Sequence, residues 1–185
     1  MKKSTATKFL PLVLAVLLAV LSPLFVFMVG CASLEPETPR RPDPRISVPA
    51  GHEQAFRLFA KGVQIYSWSG TNWIFRGPEA TLFDAKKAIV GKHYKDSTGP
   101  IWEGIDGSRV VGKVVTNAPA FDTNAIPQLL LKAESASGQG RFADVTYIQR
   151  VGTVGGKAPS NPSSNVGQET RSEYSAEYVF YRKMK

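Results

Sequence analysis

From Gly51 to the C-terminus the chain alternates short apolar runs with Gly, Pro and Asp punctuation. The runs fall at 62–68 (GVQIYSW), 72–76, 80–83, 101–105, 110–116, 129–133, 144–151 and 174–182. β-Branched and aromatic residues dominate them, which predicts strands. The last run shows the period best: Tyr174, Ala176, Tyr178 and Phe180 share one face, and Ser175, Glu177 and Val179 the other. A one-residue slip there would turn Glu177 inward, so the register is well specified. Leu129-Leu130-Leu131 lacks alternation, which predicts a strand covered on both sides or a brief helical turn. Asp106-Gly107 is a hairpin signal between two runs. One short helix is expected at 53–60, where Ala55, Phe56 and Phe59 would share a face. The expected fold is all-β: a single antiparallel sandwich or barrel-like domain over residues 50–185.

The first thirty residues follow another pattern. Lys2, Lys3 and Lys8 precede an uncharged apolar run over 9–29, which ends in Met28-Val29-Gly30-Cys31-Ala32-Ser33. A basic start, an apolar core and small residues at a cut site describe an export signal. Its ending resembles the lipobox of bacterial lipoproteins. That resemblance implies cleavage before Cys31, a diacylglyceryl group on its thiol and a further acyl chain on the new amino group. Each buried methylene contributes about 0.8 kcal/mol, so two or three chains anchor where one holds only marginally. Ala32 in place of Asp implies sorting to the outer membrane. The competing reading is an uncleaved membrane span, since a run of this length reaches across a bilayer. Pro11 and Pro23 make it a poorer helix.

Residues 34–49 hold Pro36, Pro39, Pro42, Pro44 and Pro49 among charged side chains. With Cys31 they form the expected lipidated tether, 31–49, extended and reaching about 50 Å at ~3.1 Å per residue.

Charge and cysteine count narrow the partners. The formal net charge is +8, but removing the three lysines of residues 1–30 leaves 20 basic against 15 acidic residues, or +5. That excess suits weak attraction to anionic lipid or polysaccharide and is too small to argue for nucleic acid. A single cysteine excludes an intramolecular disulfide, and with two histidines no metal site is expected. No cofactor is implied: there is no P-loop, no dinucleotide fingerprint and no Gly-x-Ser-x-Gly elbow.

Several phrases, in order, resemble one family. They include Gly62-Val63-Gln64-Ile65-Tyr66, Trp73-Ile74-Phe75, Gly91-Lys92-His93-Tyr94 and Gly99-Pro100-Ile101-Trp102-Glu103. Ile126-Pro127, Ile148 through Gly156 (IQRVGTVGG) and Tyr178-Val179-Phe180-Tyr181 continue the series. The family comprises secreted bacterial and fungal proteins and is known as a domain of unknown function, DUF 3455. The resemblance runs from about Val48 to Tyr181 and implies no activity. Relatives commonly carry two cysteines where Trp68 and, approximately, Ser163 stand here. The resemblance therefore implies that Trp68 and the loop 161–165 lie close together. It also marks 95–98 as an insertion expected to widen the loop between the His-Tyr and Gly-Pro-x-Trp phrases.

The candidate site residues each carry two readings. His93, Glu103 and Asp106 pair an imidazole with two carboxylates, as general acid–base chemistry requires. Equally, Asp106 suits its turn, Glu103 the solvent side of a strand, and His93 packing beside Tyr94. Arg150 can clamp an acidic ligand or hold an internal carboxylate or loop carbonyl. Trp68, Trp102 and Tyr94, with Trp73 and Tyr66, form a sugar-stacking platform if exposed and core if buried.

The function expected first is an envelope-anchored module binding a ligand or polymer, partnered by the membrane through lipid on Cys31 and by polysaccharide or envelope protein. A structural partner in an envelope assembly comes second. A small hydrolase or lyase using His93, Glu103 and Asp106 comes third, so an enzyme is the less favoured class.

Overall fold

The computed structural model describes residues 43–185. The export signal, Cys31 and the tether up to residue 42 lie outside them. A 3₁₀ turn (Pro44–Ile46) precedes eight strands: β1 (His52–Trp68), β2 (Trp73–Phe83), β3 (Ile89–Asp96), β4 (Gly99–Gly104), β5 (Arg109–Ala118), β6 (Gln128–Ser137), β7 (Tyr147–Gly155) and β8 (Glu169–Lys183). Each strand pairs antiparallel with the next, and β1 pairs with β8, so the sheet closes into a barrel. Closure leaves no strand with a wholly free edge, although β4 and β5 pair over only three residues. The fold is thus the barrel rather than the sandwich.

The alternation decides what fills it. Pairing of β1 with β8 sets Phe56 beside Phe180, Leu58 beside Tyr178, Ala60 beside Ala176 and Gly62 beside Tyr174. All of these but Gly62, with Leu82, Trp102, Val110, Leu131 and Ile148 from the other strands, form the main core. Gly62 has a particular reason to be glycine: a Cβ there would lie 2.1 Å from the Glu79 carbonyl oxygen and 2.5 Å from the Ala80 Cα. Only a residue without a side chain lets β2 cross so close.

The two ends differ. One end carries the β2–β3, β4–β5 and β6–β7 connections. Phe142 and Val145 from the last drop into the barrel and join the core. Phe142 lies 5.7 Å from Phe56 and 5.1 Å from Phe180, ring to ring, and closes this end. The opposite end carries the β1–β2, β3–β4, β5–β6 and β7–β8 connections and is the more open.

Residues 53–60 are strand, not helix. Ala55 sits at a bulge between Gln54 and Phe56, where the register against β8 shifts. The extra residue puts two apolar side chains in succession and imitates a helical spacing. Runs 72–76 and 80–83 are one strand, β2, continuous through Pro78. Residues 89–96, which carry few apolar side chains, form β3.

The end of the expected tether also differs. Residues 43–49 do not stand off from the domain, because Ile46 is fully buried against Ala118 and Leu130 on the outer wall, with Val48 packed alongside. The Gln149 amide donates to the Ile46 carbonyl (2.6 Å) and its oxygen accepts from the Tyr181 hydroxyl (2.7 Å). This strap covers Leu130 from outside while Leu131 joins the core inside, hence the unbroken leucine run. Ala118 ends β5 at the open end, so the described strap begins on that side of the wall and leads from there to β1.

Candidate functional site

Strand parity separates the three acid–base candidates. His93 pairs with Trp102 and Lys92 with Glu103, so His93 faces the lumen while Glu103 faces outward. Glu103 accepts from the Tyr94 hydroxyl (2.5 Å) and lies 3.2 Å from the Lys92 ammonium, on the outer wall. The Tyr94 hydroxyl and then Lys92 hold its carboxyl below the usual carboxylate range. Asp106 sits in the β4–β5 turn at the plugged end. It accepts from the Arg141 amide (2.9 Å), the Ser108 hydroxyl (2.6 Å) and the Ser108 amide (2.9 Å), which together depress its pKa. Ser108 Oγ in turn accepts from the Phe142 amide (3.1 Å). Asp106 and Ser108 therefore pin the loop that places the Phe142 plug. His93, Glu103 and Asp106 form no common cleft, and no group of three His, Cys, Asp or Glu fit to hold a metal occurs among the described residues.

What the barrel does bring together is a cavity of about 220 Å³ in the upper lumen, toward the open end. Its apolar wall is Phe75, Pro78, Pro100, Trp102, Leu129 and Leu131, with Val114. Gln64, His93, Lys95, Arg150 and Tyr178 supply the polar groups. Trp102, 1% exposed, is its floor and stacks on His93 at 4.3 Å between centroids and 13° between planes. Gly112 makes room for that indole, since a Cβ there would lie 2.9 Å from the ring.

The electrostatics of the lumen are one-sided. His93 Nδ1 lies 2.7 Å from the Ile101 carbonyl, which only accepts, so Nδ1 carries the proton and Nε2 is left as an acceptor. Burial pushes the imidazole pKa down to about 3, and the nearby Arg150 charge adds to the effect. His93 is therefore neutral. Arg150 donates from Nε (3.1 Å) and Nη2 (2.8 Å) to the Pro127 carbonyl, fastening the β5–β6 connection, and its charge reaches Tyr66, Tyr174 and Tyr178. No carboxylate pairs with Arg150 among the described residues, and none lines the cavity. Three lining residues, Gln64, Trp102 and Tyr178, hold buried polar atoms (Nε2, Nε1 and Oη) without a well-formed hydrogen bond, although Gln64 and Tyr178 interact with the Tyr174 hydroxyl and Tyr178 with Arg150. Such atoms are costly to bury unless something completes them.

The aromatic candidates divide accordingly. Trp102 is in the cavity. Trp68 is 8% exposed at the end of β1 and packs on Trp73 at 5.4 Å. Tyr94 borders a shallow outer groove with Lys61, Glu79 and Lys92, which lies open to water. The loop preceding β8 lies against Trp68: the Trp68 amide donates to Gln168, its carbonyl accepts from Gly167, and the Trp73 indole donates to Asn161. Residues 95–98 do not widen a loop. Lys95 pairs with Pro100 and Asp96 with Gly99, so the added residues lengthen the β3–β4 hairpin and carry Lys95 to the cavity mouth.

Gln64, Lys95 and Tyr178 join the site although the sequence pattern does not mark them as site residues. Gln64 left a signal: it is a polar residue in the inward register of Ala60 and Gly62, 2% exposed.

The architecture is that of a closed eight-stranded antiparallel barrel with a ligand-sized hollow beneath its open end. The family model described as a protein of unknown function, DUF3455, matches residues 49–182, and the chain belongs to that family. No curated protein matches the chain.

Proposed function

We propose that this chain is a lipid-anchored envelope protein whose barrel binds a small molecule in the lumen. The cavity carries the reading: apolar walls around a few convergent polar groups are the usual construction of a small-ligand site, although this one is at the small end of the range. The scattering of His93, Glu103 and Asp106 removes the geometric support for a hydrolase, because general acid–base work needs its groups within hydrogen-bond reach of the same substrate. Anchoring through Cys31 rests on the lipobox-like ending of the export signal.

Native mass spectrometry of the protein extracted from its own membranes reads both parts at once. The expected species begins at Cys31, carries covalent acyl mass and loses a small non-covalent adduct on activation. An unmodified chain still starting at Met1 would overturn the anchor. A barrel that stays free of adduct across growth conditions would overturn the small-ligand reading in favour of a protein or polysaccharide partner.

A further inference from the structure

We infer that the lumen takes a small carboxylate borne on a compact ring, with the carboxylate at Arg150 and the ring against Trp102; the inference rests on the binding role proposed above. Four observations converge on it.

The first is size. A dry cavity of about 150 Å³ holds benzene. The hollow here, at about 220 Å³, has room for one ring and a short substituent but not for a long acyl chain or an oligosaccharide.

The second is charge. Arg150 and Lys95 line the hollow and no acid does. An arginine that reaches into a lumen normally meets a carboxylate, and this one has none among the described residues. Its Nε and Nη2 share one neutral carbonyl, that of Pro127, which leaves its positive charge uncompensated. Its planar fork matches a carboxylate better than a compact ammonium does.

The third is hydrogen-bonding sense. On the lining, Trp102 Nε1 is a buried donor without a partner, and Gln64 Nε2 and Tyr178 Oη, which interact with Tyr174 and Arg150, lack a well-formed hydrogen bond of their own. The first two only donate and the third is able to. A ligand rich in acceptors completes them, whereas a cationic ligand would leave them idle and face Arg150 as well. The fourth is the floor. Trp102, held in a parallel stack on His93, lines the hollow together with the Phe75 and Tyr178 rings, a surface that suits a ring better than a flexible chain.

The test is isothermal titration calorimetry of the full chain in lipid nanodiscs with benzoate, benzamide and benzylamine. These probes share one ring and differ in charge. Benzoate should bind more tightly than benzamide by roughly tenfold or more, the scale of a hydrogen bond to a charged group. Arg150→Met should bring that ratio close to one. The ratio is read within one variant, so any loosening of the Pro127 connection, which weakens both probes, cancels. Equal binding of benzoate and benzamide, or a preference for benzylamine, would overturn the carboxylate assignment while leaving the cavity as a ligand site. Benzoate preference that survives Arg150→Met would overturn the role of Arg150. Failure of all three probes to bind would overturn the ring-sized ligand and count against the binding role itself.

Discussion

Trp102→Ala should lower the unfolding free energy of the barrel by about 3 kcal/mol, the lower part of the range for removing a buried tryptophan. The indole is 1% exposed and touches His93, Tyr178 and Phe180, at centroid distances of 4.3, 5.2 and 6.1 Å. Deleting it removes that packing and enlarges a hollow already present. Two features moderate the loss. The indole N–H has no partner, so the cost of burying it disappears with it. The enlarged hollow opens toward the mouth and admits water. For a domain of this size the change corresponds to a fall in melting temperature of about 10 °C. Tyr94→Phe is the comparison. It deletes a hydroxyl that bonds Glu103 on the outer wall, and should cost no more than about 1 kcal/mol. Urea denaturation of residues 43–185, which contain every strand pairing and both apolar clusters, measures both. Similar losses from the two variants would mean that Trp102 is not the floor of the lumen.

His93 should make the barrel acid-sensitive well above the range in which carboxylates titrate. Its pKa falls from an ordinary 6.5 to about 3 on folding, because the lumen disfavours the imidazolium. The unfolded chain thus binds the proton more readily than the folded one. The stability that comes from keeping His93 neutral is fully present above pH 6.5. It drains as the pH falls, at roughly 1.4 kcal/mol per unit, until the folded group itself titrates near pH 3. Between pH 7.5 and 4.5 the loss should be on the order of 2.5 kcal/mol. Asp96, Glu103 and Asp106, whose folded pKa values are depressed, act in the same direction. Their contribution is lost mainly below that window. Denaturation curves at the two pH values, for wild type and His93→Gln, separate these sources. The variant should lose most of the dependence within the window. An equal slope in both proteins would place the proton elsewhere.

Much of the wall was legible in the sequence, because a strand writes its two faces into alternate residues. The inward set Tyr174, Ala176, Tyr178 and Phe180 is buried as the alternation predicts. The leucine run marked a strand covered on both faces, although not that the outer cover would be Ile46. Local pattern failed where the chain departs from its own period. The bulge at Ala55 gave the start of β1 a helical spacing, and β3 hid because its lumen positions include a glycine and a histidine in place of large hydrophobes. Closure was beyond local reading, since it depends on β1 meeting β8 more than a hundred residues away.

The site was legible in its members more than in its assembly. Trp102, Arg150 and His93 each stand out in the sequence, but as parts of different hypotheses. Only cross-strand register puts them in one lumen and turns Glu103 and Tyr94 out of it. Tyr178 reads as a wall residue and Gln64 signals only a polar group in an inward register, because a chain gives no sign of what a buried polar atom will face.

The central claim is that the lumen, and no outer surface, is where this protein meets its ligand. Titration of ¹⁵N-labelled protein with benzoate, followed by two-dimensional NMR, tests it directly, because the three indole N–H groups and the arginine Nε–H groups report from known places. The account predicts that the Trp102 indole and Arg150 Nε signals move together and saturate, while those of Trp68 and Trp73 at the rim move little. Shifts confined to the outer groove beside Tyr94, or to the rim tryptophans alone, would contradict it.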